Sequence, residues 1–236
     1  MNLTRSNFQR RPALVSVLAL VMLPLVGCAT DTNQSSMSRF RQTDADAAFD
    51  AGANRPPTPR TLYSMARILA AQGRDPQCEM VLSRIIREHP RFMPAYCDLA
   101  ELQLRNHSID NAIQTLSAGL SVSPQEAILA NNLGMCRMLK GDYDKALSLF
   151  TQAAGVNPND ARFRANMAAS LGLLGRYDEA LSLYEQVIPS PDAHHNLAVI
   201  SEARGDDART KKERASAGEK AAPDAIDTGA SDGDGP

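Results

Sequence analysis

An all-α fold, a solenoid of about four stacked helix pairs closed by a terminal helix, is predicted by three observations in the 236-residue sequence. Pro90, Pro124 and Pro158 recur at one constant interval. Other columns keep the same step: Ala66, Ala100, Gly134 and Ala168; Cys78, Ala112, Ala146 and Ala180; Met65, Leu99, Leu133 and Met167. The segments GDYDKALSLF (141–150) and GRYDEALSLY (175–184) are nearly superimposable at that offset. A fixed period of this size marks an array of supersecondary units, each too small to bury its apolar face alone.

The N-terminal segment lies outside the repeats. MNLTRSNFQRR holds three arginines and no acid, and an apolar run from Ala13 to Val26 follows, the layout of a secretory signal over residues 1–27. The run is short of the roughly 20 apolar residues a spanning helix needs. Leu25-Val26-Gly27-Cys28 resembles the lipobox of bacterial lipoproteins, which implies cleavage before Cys28 and lipidation of its sulfur. Ala29, in place of aspartate, resembles lipoproteins sent on to the outer membrane, facing the periplasm. Two or three acyl chains hold a protein stably at a bilayer, whereas one does not.

Residues 28–58, including RPPTPR, are expected to tether the repeats to the lipid, with one weak helix near Asp44–Asp50. Thirty extended residues at about 3.3 Å each reach on the order of 100 Å. Loss of residues 1–27 leaves 22 basic against 27 acidic side chains, a net charge near −5. Nucleic acid is therefore not an expected partner, since phosphate binding needs a clustered basic surface. Cys78, Cys97 and Cys136 are odd in number and show no CxxC spacing, which favours buried small residues over redox or zinc chemistry.

The array is expected over 59–206, as units 59–92, 93–126, 127–160, 161–190 and a partial unit 191–206, each with two short amphipathic helices such as Ala127–Lys140 and Tyr143–Ala154. Gly73, Gly141 and Gly175 stand where the first helix of a unit must stop, and His107 takes that place in the second unit at a higher conformational cost. The small columns let helix backbones come close, while Leu82, Leu116, Phe150 and Tyr184 fill the space alongside. Each proline biases its neighbour away from helix and so separates units.

This 34-residue pattern of small, aromatic and proline columns resembles the tetratricopeptide repeat, closely over 127–184 and less so over 59–126. One aromatic column reads Leu62, Tyr96, Ala130 and Arg164, so the fourth unit departs from the pattern at Arg164. The period then shortens: Gly205 follows Gly175 by a smaller step than Gly175 follows Gly141, and the fourth unit ends at IPSPDA. Residues 207–236 are expected to give a polar closing segment, since solenoid ends need a water-facing cap, and then an unfolded tail after Ala221.

No phosphate-cradling glycine loop, HExxH or G-x-S-x-G occurs, so neither catalysis nor a cofactor, metal or small-molecule substrate is expected. Adjacent His194 and His195 point about 100° apart on a helix and cannot share a metal as an i, i+4 pair does. Solenoids of this kind bind along the face lined by the first helix of each unit. Asn132, Asn166 and Asn196 occupy equivalent places there, where a side-chain amide can bond a guest backbone. Arg67, Glu101, Asn131, Met135 and Met138 are neighbouring candidates, and with no Lys/Arg clamp the expected guest is a helix or an extended apolar segment of a protein.

Lipobox, four repeats and a short final unit ending in HHNLAVISEARGD together resemble the TadD lipoproteins of tight-adherence (Tad/Flp) pilus assembly and, more distantly, type IV pilotins. That resemblance implies a groove that binds a secretin subunit or pilus component. An alternative resemblance is to envelope adaptor lipoproteins such as NlpI, which implies recruitment of cell-wall hydrolases or a protease. A third role, in outer-membrane protein insertion, generally goes with a longer array.

Overall fold

Ten α-helices succeed one another in the computed structural model, which describes residues 56–218. The signal segment, Cys28, the helix expected near Asp44–Asp50, most of the tether and the tail after Ala221 lie outside the described residues. Two compact units divide the chain between Asn159 and Asp160.

The first unit holds α1 (Pro59–Ala71), α2 (Asp75–Glu88), α3 (Met93–Arg105), α4 (Ile109–Val122), α5 (Ala127–Leu139) and α6 (Tyr143–Val156). Proline near the N-terminus of α1, α2 and α3 starts helices where its missing N–H is no loss. Thr58 caps α1, its hydroxyl accepting from the Thr61 N–H at 3.2 Å. The turns that carry the periodic proline column are held by side chains from other helices. Tyr96 donates to the Pro90 carbonyl at 3.0 Å, and Gln152 Nε2 donates to that of Pro124 at 2.8 Å.

Two apolar clusters fill this unit. Leu62, Ala66 and Leu69 of α1 and Cys78, Leu82 and Ile85 of α2 join Ala95, Leu99 and Leu102 of α3. Tyr96, Cys97 and Ala100 of α3 and Ala112, Ile113 and Leu116 of α4 join Leu129, Leu133 and Cys136 of α5. Each of these repeats thus completes its core with the first helix of the next, which is why the array cannot be cut at an arbitrary repeat. The small column explains the close approach: a Cβ on Gly134 would stand 2.6 Å from Phe150 Cε1.

Left-handed backbone ends the first helix of each repeat. Gly141 has φ +82°, and His107, without glycine's freedom, is held at φ +57°. A side chain there costs about 1–2 kcal/mol. His107→Gly is therefore expected to raise the first unit's stability by up to about 1 kcal/mol, read as a higher denaturant midpoint at unchanged slope. No gain would mean that the His107 side chain stabilises the turn by as much as its backbone costs.

The second unit holds α7 (Ala161–Leu173), α8 (Tyr177–Glu185), α9 (Ser190–Arg204) and α10 (Asp207–Ser216). Helix α8 has nine residues against 14 in α6, and this is the place of the shortened period. The N–H groups of Val187 and Ile188 both turn back to the Tyr184 carbonyl, and Pro189, the N-cap of α9, prevents continuation. Arg164 is half-buried, and its neighbour Phe163, 1% exposed, supplies the aromatic bulk of α7 instead.

The polar closing segment begins as a complete helix, α10, packed along α9. Its buried residues are Thr210 and Glu213. Glu213, fully buried, meets His194 Nδ1 at 2.5 Å and Arg209 Nε at 2.6 Å, the latter an ion pair without hydrogen-bond alignment. Arg209 also reaches Asp178 at 3.0 Å and lies over the Tyr177 ring, 5.0 Å from its centroid. Ser201 and Thr210 share a hydrogen bond of 2.9 Å.

Candidate peptide-binding face

The first helices α1, α3 and α5 carry the candidate side chains of the first unit. Arg67 is exposed, Glu101 and Asn131 are half-buried, and Asn132 is 7% exposed. Asn131 Nδ2 donates to Asn132 Oδ1 at 3.3 Å, so part of the asparagine's capacity is already engaged within α5. Met135 and Met138 are 3% and 1% exposed. Both sulfurs belong to the packed interior, so the structure places them behind the face rather than on it. In the second unit, Asn166 of α7 is 6% exposed and Asn196 of α9 is half-buried. The Asn166 carbonyl accepts from the buried hydroxyl of Ser170 at 3.0 Å.

A residue absent from the sequence reading completes the first unit's face. Asp98 stands one full period before Asn132, in the same column, and that shared period was the signal that could have found it. Its carboxylate accepts a hydrogen bond from Tyr63 of α1. Burial pushes the Asp98 carboxyl above the ordinary carboxylate range, against the opposing pull of Tyr63, Arg67 and Arg105. Glu101, one turn on, is raised by burial too, with Arg105 opposing and Asp98 adding to the shift. Arg105 divides itself between Glu101 and Asp75, at 3.6 Å from each.

Chemically, this face offers two partly desolvated carboxylates, one exposed guanidinium and a carboxamide. Desolvated acceptors gain most from an added donor, so a guest's backbone N–H or basic group suits Asp98 and Glu101, and Arg67 suits a guest carbonyl. Cys78, Cys97 and Cys136 are buried, and burial lifts the Cys136 thiol to about 12, far from a reactive thiolate. Among the described residues, His194 is bonded to Glu213 and His195 is exposed, each in a separate environment.

The sequence profile of the tetratricopeptide repeat matches residues 125–190. No curated protein matches the chain. Among solved structures, the fold is similar to a tetratricopeptide repeat protein from Parabacteroides merdae ATCC 43184, at 18% identity and a TM-score of 0.58, covering 72% of this chain and 67% of that one. It is similar to YrrB, described as a TPR protein with an unusual peptide-binding site, at 17% identity and TM-score 0.56, covering 73% of this chain and 89% of that one. It is similar also to the MamA protein, at 15% identity and TM-score 0.56, covering 67% and 89% of the two chains. At such identities the likeness concerns fold alone, and it agrees with the periodic columns and the paired helices. The described residues form a tetratricopeptide-repeat α-solenoid, the fold of a protein-interaction scaffold.

Proposed function

We propose that this protein is a lipid-anchored scaffold of the outer membrane, facing the periplasm, that holds a segment of a partner protein during assembly of a pilus or secretion machine, as TadD-like lipoproteins are expected to do. The partner on this reading is a secretin subunit or another pilus component. The observation that carries it is the polar cluster Tyr63, Arg67, Asp98 and Glu101, which joins two consecutive first helices on the side that repeat solenoids use for binding. The lipobox ending in Cys28 supports the anchor. Anchoring adds affinity without new contacts, because confinement beside a partner in the same membrane raises effective concentration toward the millimolar range for a short flexible linker.

The asparagine column is a poor place to test this, since Asn132 and Asn166 are buried and their removal would disturb packing as well as any contact. Arg67, Glu101 and Asn131 reach solvent. Changing these three together to alanine is expected to weaken binding of a purified secretin periplasmic region by about tenfold, or about 1.4 kcal/mol, while the melting curve stays nearly unchanged. Unaltered affinity in a correctly folded triple variant would remove this face from the account.

A further inference from the structure

The first repeat carries a charge unlike the rest of the array. Residues 56–92 hold six arginines against three acids, a net +3, while residues 93–218 hold 12 basic against 15 acidic side chains. Arg84 is paired with Glu88, and Arg67 is drawn electrostatically to Asp98. Arg60, Arg74, Arg87 and Arg91 are exposed and make no ion pair among the described residues. In later repeats Arg105, Arg137, Arg162 and Arg176 each meet a carboxylate. Unpaired guanidinium groups thus gather in the first repeat.

Large apolar side chains are exposed in the same repeat. Met65 and Ile68 of α1 are 52% and 59% exposed, whereas Leu99 and Leu102, one period on, are 5% and 1% exposed. Met80 of α2 is 66% exposed and stands in a column that the later second helices fill with Gln114, Ser148 and Ser182. The repeat pattern therefore does not call for a thioether there. Helix α1 contains no acid, and its exposed side runs from Arg60 in the first turn through Met65 and Ile68 to Arg74 just past the last turn. Exposed apolar groups among polar and basic ones mark a surface that meets something other than water.

The interface of a bilayer takes both kinds of group, apolar side chains between its headgroups and cations at its phosphates. Nucleic acid phosphates would meet the arginines but leave Met65 and Ile68 in water. We infer that the first repeat docks on an anionic phospholipid surface, with Met65 and Ile68 entering the headgroup region and Arg60 and Arg74 beside lipid phosphates. Docking of this kind needs no acyl chain, so it stands apart from the anchor proposed above. Where both act, they hold the first-repeat end of the array at the membrane.

The test uses the chain from residue 28 onward with Cys28→Ser, so that no acyl chain contributes. In flotation it is expected to rise with vesicles of phosphatidylethanolamine and phosphatidylglycerol and to stay behind with vesicles of phosphatidylcholine. Arg60→Gln with Arg74→Gln is expected to weaken the partition about tenfold, since each arginine near an anionic surface adds attraction. Met65→Gln with Ile68→Gln is expected to weaken it severalfold, by removing the apolar contact. All four positions are exposed, so these variants alter the surface and leave the packed core in place. No flotation, equal flotation with both vesicle types, or flotation unchanged in either paired variant would overturn the inference. The sequence has no tryptophan, so Ile68→Trp supplies a single reporter. Its emission is expected to shift to the blue when the anionic vesicles are added and not with phosphatidylcholine. Emission indifferent to anionic lipid would count equally against docking. A blue shift without lipid that grows as the protein dimerises in sedimentation would overturn it also, in favour of a second copy on this surface.

Discussion

Phe150→Ala is expected to destabilise the first unit by about 3–5 kcal/mol. Its ring is fully buried in α6 and lies against Gly134 of α5, so deletion leaves a cavity that a glycine backbone cannot fill by side-chain movement. Total stabilities of domains are about 5–15 kcal/mol, so the loss is a large share of what holds this unit together. Chemical denaturation followed by far-ultraviolet circular dichroism reads it as a lower midpoint. A change below about 1 kcal/mol, far under the usual cost of emptying such a site, would contradict the assignment of Phe150 to the column that packs against the small residues.

The second large effect belongs to the other unit. Glu213→Ala is expected to cost about 3–5 kcal/mol, the usual result of removing one member of a buried charge cluster. Arg209, only 14% exposed at its side chain, would keep only its ion pair with Asp178, and His194 would lose the carboxylate it meets. The contrast is with Arg84–Glu88, an exposed i, i+4 pair, whose loss is expected to cost about 0.5 kcal/mol or less. Hydrogen exchange is the suitable readout, with protection lost across α9 and α10. Undisturbed protection in the alanine variant would mean that α10 is held by something other than its ionic contacts.

Those two residues also show what the sequence could and could not reveal. Phe150 was legible because its column is apolar and periodic, and periodicity is the signal that burial of one helix face leaves in a sequence. Helix α10 left no such signal. DARTKKERAS docks through Glu213, Arg209 and Thr210, polar side chains paired with partners that lie 19, 31 and nine residues away, at His194, Asp178 and Ser201. A polar helix with a polar buried face looks like a solvated end until its partners are brought beside it. Arg164 posed the reverse problem: the departure from the aromatic column was plain, but its remedy, burial of the adjacent Phe163, lies one position outside that column.

The candidate face divides in the same way. The period placed Asn132 and Asn166 on the first helices, yet residues in that column sit where a helix turns inward, and only 7% and 6% of their surfaces meet solvent. Met138 lies six residues beyond Asn132 and enters the core entirely. Asp98 went unread because its residue type breaks the asparagine column. Its hydrogen bond from Tyr63 and its attraction to Arg67 depend on two helices from consecutive repeats coming together, which no single stretch of sequence contains.

The proposed assembly role turns on which partner protein the solenoid holds. Crosslinking and affinity purification of the mature protein from membranes, run beside Cys28→Ala with partners identified by mass spectrometry, tests that most directly. The expected result is a secretin or pilus component captured by the lipidated form and lost, or strongly reduced, in the Cys28→Ala form. Cell-wall hydrolases or a protease in their place would contradict the assembly role and identify an envelope adaptor instead.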